Sequence, residues 1–373
     1  MSKLFQPLKV GPITLSHRII LPPMTRIRAN AAHVPQPSAI EYYTQRASTP
    51  GTLLITEGTY ISPETGGMPF VPGIYNQEQI DAWKPVTASV HEKGCYIYLQ
   101  LWTLGRAANP QVLEGELGVG TKVKAPSAIA YEGGVVPEEL TEEEIWKCIK
   151  DHRQAALNAI EADFDGVEVH GACGYLPDQF LQDVSNQRTD GWGGSVEKRA
   201  RFGLEVAKAI ADAVGAERTG FRMSPLGTFQ GMRMEEGKFQ AQFSYFTQEL
   251  KKLNLAYIHL VTARTDGAPE DMDPEKMKFM LDTWGKTSPV FLAGGFNPEM
   301  AYRIVDEELK DREVAVAFGR YFTSNPDLVF RVKEKISLAP YERSIFFSND
   351  QVVGYTDYPF SKEFEAQKSG LKA

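Results

Sequence analysis

The stretch TEEEIWKCIKDHRQAALNAIEADFDGVEVHG, residues 141–171, changes period part-way along. Its first part, 141–162, has helical spacing. It opens with Thr141 as the expected N-cap and Glu144 three residues later, where a capping box needs a carboxylate. Its second part, FDGVEVHG (164–171), is a short apolar, β-rich run bounded by glycine. A helix that hands the chain to a buried strand is one half of a βαβ unit.

The same unit recurs along the chain. Runs of the same kind are HRIILPPM (17–24), GTLLITEG (51–58), CYIYLQLW (95–102), TGFRMSP (219–225), LAYIHLVTA (255–263), SPVFLAGG (288–295) and VAVAFGR (314–320). With 164–171 they make eight. A second helix is predicted over 195–214, with Phe202, Val206, Ala209, Ile210 and Ala213 on one face. Eight strands alternating with helices predict an α/β fold with a parallel sheet, closed into a (β/α)8 (TIM) barrel that leaves no sheet edge. The whole of 1–373 is read as one domain. LKVGPITL (8–15) reads as an N-terminal hairpin plugging the bottom of the barrel. The long, weakly periodic loop 103–140 follows the third strand and is expected over the active-site mouth. The tail from about Glu363 is expected to fray.

Composition narrows the class. Charged residues are 24% and hydrophobic residues 42%, ordinary values for a globular protein with a large core. The 40 basic residues against 48 acidic ones give a net charge of −8, which argues against nucleic acid or an anionic membrane as the main partner. The three cysteines, Cys95, Cys148 and Cys173, show no CxxC spacing and fit a reducing compartment. The start MSKLFQPLKVGPITL has no apolar h-region, and the SKL near it is not a C-terminal address. The apolar runs are far shorter than the ~20 residues of a membrane span. A cytoplasmic location is the expectation.

In such a barrel, chemistry sits at the C-terminal ends of the strands. Seven of the eight runs carry polar, glycine or ring-bearing residues there. They are Pro23-Met24-Thr25-Arg26, Glu57-Gly58, Gln100-Leu101-Trp102, His170 to Tyr175, Arg222, Gly294-Gly295 and Gly319-Arg320. Glycines after strands seven and eight let backbone N–H groups approach an anion, and Arg320 adds a fixed charge, so a phosphate site is expected there. The same glycines also suit plain βα turns. Gln100 and Arg222 suit a planar heterocycle with several carbonyls and ring nitrogens. Arg222 equally suits a buried ion pair with Glu57 or Glu168.

Other signatures are missing. GVG at 118–120 lacks the third glycine of a dinucleotide fingerprint, and there is no GxxxxGK[ST], HExxH, GxSxG or cysteine cluster for a metal. His33, His91 and His152 read as surface or helix residues, and His259 as a satisfied core histidine.

Longer phrases resemble a known family. LFQPLKVG, PPMTR, LLITEG, LQLW, FDGVEVHGA, NQRTDGWGGSVEKRARF (186–202), RMSPLGTF (222–229), FLAGGF, VAFGRYFTSNPDL (316–328) and GYTDYPF (354–360) resemble the old yellow enzymes, the FMN-dependent ene-reductases. The GTLLITE wording and the LxLW-x-x-GRAA phrase look most like fungal members of secondary metabolism. The resemblance implies noncovalent FMN at the top of the barrel and NADPH as the hydride source. Pro23, Met24 and Thr25 would line the flavin, with Thr25 bonding its O4. Gly58 and Gln100 would contact the pyrimidine, and Arg222 would sit by N1 and O2. Gly294, Gly295, Gly319 and Arg320 would hold the phosphate. Trp102, Phe229 and Phe347 would wall the substrate pocket.

The resemblance also implies a reaction. An enal or enone would be reduced at its C=C bond, with hydride from the flavin N5 to Cβ and a proton from Tyr175 to Cα. His170 would donate to the carbonyl and also contact the cofactor. The chain departs from the family at one position: Cys173 stands where a second donor, His or Asn, is found. A thiol is a weak donor. Net reduction with His170 alone, a redox-neutral isomerisation or cyclisation, thiol addition to the substrate, and a carbonyl bound elsewhere all remain open, as does a barrel that has lost catalysis. The expected partner is a small molecule, and the expected state a monomer or homodimer.

Overall fold

The computed structural model describes residues 2–262 and 274–370. Eight parallel strands close into one barrel in sequence order. They are β1 (Ile19–Leu21), β2 (Leu53–Tyr60), β3 (Tyr96–Trp102), β4 (Gly166–Gly171), β5 (Thr219–Met223), β6 (Tyr257–Val261), β7 (Val290–Ala293) and β8 (Val314–Ala317). All eight expected runs are strands. Ala263, the last residue of the sixth run, lies outside the described residues.

Alternation along each strand sorts the barrel into two shells. Ile19, Leu21, Leu54, Ile97, Leu99, Val167, Val169, Leu292 and Val316 face outward into the core shared with the helices. Ile20, Leu53, Ile55, Tyr98, Tyr257, Phe291 and Ala315 face inward and fill the lower barrel. Tyr257 stacks on Phe291 at 4.0 Å. The hairpin Leu8–Val10 with Ile13–Leu15 packs its apolar side chains on this inner set and closes the bottom, as expected. The same alternation makes Gln100, Glu168, His170, Arg222 and His259 inward residues one layer higher. An apolar floor therefore carries a polar upper layer.

The helices follow the sequence signals closely. Glu142–Glu161 starts on a full capping box between Thr141 and Glu144, worth about 1 kcal/mol. Val196–Val214 is capped by Ser195 and buries Phe202, Val206, Ala207 and Ile210. Its apolar stripe thus runs through Ala207 rather than Ala213, because the ring of Phe180 stacks on Phe202 at 4.2 Å and fixes the rotation.

Two expectations are corrected. The tail does not fray at Glu363: Lys362–Lys368 is a helix capped by Ser361, and Phe364 packs on Phe360 and Phe330. The segment 103–140 is not structureless, since it holds the helix Pro110–Leu117, started by Asn109 and Pro110, and the short strands Lys124–Ala125 and Glu138–Glu139. It does reach the top of the barrel: Arg106 donates to the carbonyl of Gln230 at 2.9 Å.

Candidate active site

The strand order brings the predicted residues together across neighbouring strands. Gln100 on β3 is paired in register with Glu168 on β4. His170 on β4 is paired with Arg222 on β5, and Arg222 with His259 on β6. A continuous polar belt results. Arg222 lies in no ion pair among the described residues, and its Nε is buried without a hydrogen-bond partner. The ion-pair alternative for Arg222 is thus not what the chain forms. Glu57 accepts instead from the backbone N–H groups of Arg26 (2.9 Å) and Ile27 (3.1 Å).

A cavity opens above this belt. It is lined by Pro23, Met24, Cys173, Arg222, Gly294, Gly295, Gly319, Arg320 and Phe347, all singled out from the sequence, and by Tyr341, Arg343 and Phe346, which were not. Among the described residues the lining holds three guanidinium groups and no carboxylate. Gly294 and Gly319 cannot easily carry side chains. A Cβ on Gly294 would lie 1.7 Å from Thr262 Oγ1, and one on Gly319 would lie 2.9 Å from Met24 Sδ. Gly295 adopts φ +84°, which an L side chain resists. Arg320 donates to the Tyr341 hydroxyl at 3.2 Å.

Beside the cavity sits an aromatic cluster. Trp102 and Tyr175 meet edge to face at 4.9 Å, and Trp102 stacks on His170 at 6.1 Å. Gly58 makes room for Trp102, since a Cβ there would come within 2.6 Å of the indole. His170 is buried, and its Nδ1 has no partner. Burial first, then the charge of Arg222, holds its imidazole well below the usual histidine range, so it is neutral. A neutral imidazole offers one N–H and one acceptor. Burial first, then Cys173, raises the Tyr175 phenol, which stays protonated. Neither Thr25 nor Phe229 lines the cavity, and Phe229 is 38% exposed.

The turn after β4 is built around a carboxylate that the sequence reading missed. Cys173 and Gly174 both take positive φ, +59° and +75°. Asp178 accepts from the Gly174 N–H at 2.9 Å, and Ser224 Oγ accepts from the Cys173 N–H at 2.7 Å. These bonds aim Cys173 at the cavity and Tyr175 at Trp102. Burial raises the Asp178 carboxyl to about 6, only partly offset by Gln182, Gly174 and Ser224. Gln230 was also missed. It sits at φ +58°, with its side chain packed over Gly174 and its Oε1 buried without a partner.

The other histidines divide. His91 is half-exposed on Asp165 and His152 is buried in its helix. His33 is not a surface residue: it is buried, between the Val71 carbonyl and Glu116. His259 is a core residue bonded to Glu168, yet its Nε2 is left without a partner.

A parallel eight-stranded barrel with a cationic, glycine-lined cavity at its C-terminal end and a histidine–tyrosine pair beside it defines a cofactor-dependent barrel enzyme class. The chain belongs to the NADH:flavin oxidoreductase / NADH oxidase family, whose model matches residues 3–339. It is similar to the chanoclavine-I aldehyde reductase fgaOx3 of Penicillium roqueforti (strain FM164), at 52% identity over 98% of each chain. It is 46% identical to the NADP-dependent oxidoreductase lnbE of Aspergillus flavus, over 97% of each chain. The solved structure of Old Yellow Enzyme from Pichia sp. AKU4542 superposes with a TM-score of 0.87 at 39% identity, covering 97% of this chain and 94% of that one. Some further relatives bear the name probable inactive reductase or dehydrogenase. The chain is therefore a fungal-type member of the old yellow enzyme family. Among the described residues no helix is long and apolar enough to cross a membrane.

Proposed function

We propose that residues 1–373 form one FMN-binding domain that uses NADPH to reduce the C=C bond of a small α,β-unsaturated aldehyde or ketone, in the cytosol, as a monomer or homodimer. One observation carries this reading: the His170 Nδ1, partnerless among the described residues, and the Tyr175 ring stand together beside a cavity whose described lining holds three guanidiniums and no carboxylate. The buried, unpaired Nε of Arg222 and the glycine cradle fit a noncovalent flavin mononucleotide, with a ring that gains negative charge on reduction at one end and a phosphate at the other. The names of the two fungal relatives support an aldehyde and NADP.

When bound, the flavin supplies hydride chemistry. The chain does the rest. Gly294, Gly295, Gly319 and Arg320 would hold the phosphate through backbone N–H groups and one guanidinium. Pro23, Met24, Thr25, Gly58 and Gln100 would hold the ring. Arg222 would stabilise the negative charge that the ring gains on reduction. His170 donates its single N–H to the substrate carbonyl and draws electron density from the alkene. Tyr175 then delivers its phenolic proton to Cα. Trp102, Phe229 and Phe347 hold the substrate flat and exclude water.

A second reading is favoured by Cys173. It lines the cavity in a fixed left-handed conformation, where the family carries a stronger donor. A carbonyl activated by one donor suits a redox-neutral isomerisation or cyclisation of a reactive substrate. Anaerobic mixing separates the two readings. Reduction predicts that one equivalent of NADPH bleaches the bound flavin and that an enal restores its colour with a saturated product. Turnover of the enal without NADPH consumption supports the second reading, and a protein that takes up no FMN overturns both.

A further inference from the structure

Among the described buried acids that the mechanism above does not use, Glu168 alone sits in the polar belt with Gln100, Arg222 and His259. Glu168 has no exposed surface, and both its oxygens are engaged. Gln100 Nε2 donates to its Oε1 at 2.8 Å, and His259 Nδ1 meets its Oε2 at 2.8 Å. These contacts decide the orientation of two ambiguous side chains. The Gln100 amide must turn its NH2 toward Glu168, which leaves its Oε1 and its second N–H outside that bond. An acceptor beside a donor complements the C=O and N–H edge of an imide ring. His259 must carry its proton on Nδ1, so its partnerless Nε2 is an acceptor.

The layer below is aromatic, built on Tyr98, Tyr257 and Phe291, with the two phenol hydroxyls buried. Apolar residues could continue that packing. A buried carboxylate in their place contributes little stability, since its desolvation costs several kcal/mol that only good partners offset. Its place between Gln100 and His259 points to a task. We propose, resting on the FMN reading, that Glu168 is a positioning residue for the flavin: it fixes the Gln100 amide and sets one buried negative charge against Arg222, holding the cofactor's potential down. His259 keeps that charge in place by donating to it.

The test is a pair of affinities. FMN is removed from the full chain, and the dissociation constants of oxidised and reduced FMN are measured for wild type and Glu168→Gln. Removing a negative charge favours the reduced, more anionic cofactor. The ratio of the oxidised to the reduced constant is expected to rise about tenfold, equivalent to a potential raised by ~30 mV. His259→Leu, which strips the carboxylate of a donor, is expected to move the ratio the same way and carries the test if Glu168→Gln does not fold. If both forms of FMN bind more weakly but the ratio stays within about twofold of wild type, Glu168 only packs the barrel and the inference is overturned. A wild-type chain that binds neither form overturns the FMN reading itself, a separate outcome.

Discussion

His170 and Tyr175 meet edge to face, with ring centroids 4.8 Å apart and planes at 69°. Four residues separate them in sequence, and the Cys173–Gly174 turn folds the second back onto the first. The proposed roles divide at this contact: His170 polarises, Tyr175 protonates. Tyr175→Phe is expected to slow flavin reoxidation by an enal about 100–1000-fold, the usual worth of a general acid. Reduction by NADPH should stay near the wild-type rate. Stopped-flow traces of the two half-reactions check this, and equal slowing of both would place Tyr175 in cofactor binding instead.

Cys173 offers the reverse kind of variant. Its φ of +59° is one that Asn accepts more readily than most residues, so Cys173→Asn should fold without loss of melting temperature. An amide N–H is a stronger donor than a thiol, and one such donor is typically worth ~100-fold in rate. Enal reduction is therefore expected to accelerate by about 10–100-fold. An unchanged rate would mean that the carbonyl oxygen does not rest at residue 173.

Arg320 is positioned at the glycine end of the cavity by the Tyr341 hydroxyl and ring. Arg320→Ala is expected to weaken FMN binding by about 10–100-fold, the worth of a charge-assisted hydrogen bond. Quenching of FMN fluorescence on titration measures it. Retained affinity would move the phosphate to another cation, with Arg343 the nearest choice in the lining.

Glu57 holds the loop that carries Pro23 to Arg26. Burial raises its carboxyl to about 7, against smaller opposing effects of the Arg26 and Ile27 N–H groups and the Arg26 and Arg28 charges. The sign follows from proton counting. Between about pH 4.5 and 7 the folded chain keeps a proton that the unfolded chain releases, so this group's contribution to stability falls as pH rises through that window. His17 and His152, lowered to about 4 by burial, act in the opposite sense. The difference between Glu57→Gln and wild type isolates the carboxyl. It should shift in favour of the variant by about 3 kcal/mol from pH 4 to pH 8, as seen in urea melts. Parallel curves would mean that Glu57 titrates normally.

The barrel was legible because each strand is a short apolar run and two of the flanking helices, Glu142–Glu161 and Val196–Val214, are long and capped. The strand-end residues were legible for the same reason: alternation makes Gln100, His170 and Arg222 point inward. What escaped notice lies where no period operates. Tyr341 and Arg343 come from irregular chain after the last strand. Asp178 looks like an ordinary helix-start acid and becomes structural only because the turn folds Gly174 onto it. Gln230 depends on a left-handed backbone that no local pattern signals. The burial of His33 rests on its contact with Val71, 38 residues away. The roles of Tyr175, Trp102, Phe229 and Phe347 came from family likeness, not from spacing.

The most direct test of the account is single-turnover reoxidation of the NADPH-reduced enzyme by an α-deuterium-free enal in D2O. Flavin colour is followed anaerobically and the product is analysed. The account predicts full recovery of oxidised flavin and a saturated aldehyde carrying one solvent deuterium at Cα, formed about 100–1000-fold more slowly in Tyr175→Phe. Reduced flavin that no enal reoxidises, or a rearranged product formed with the flavin still reduced, would contradict it.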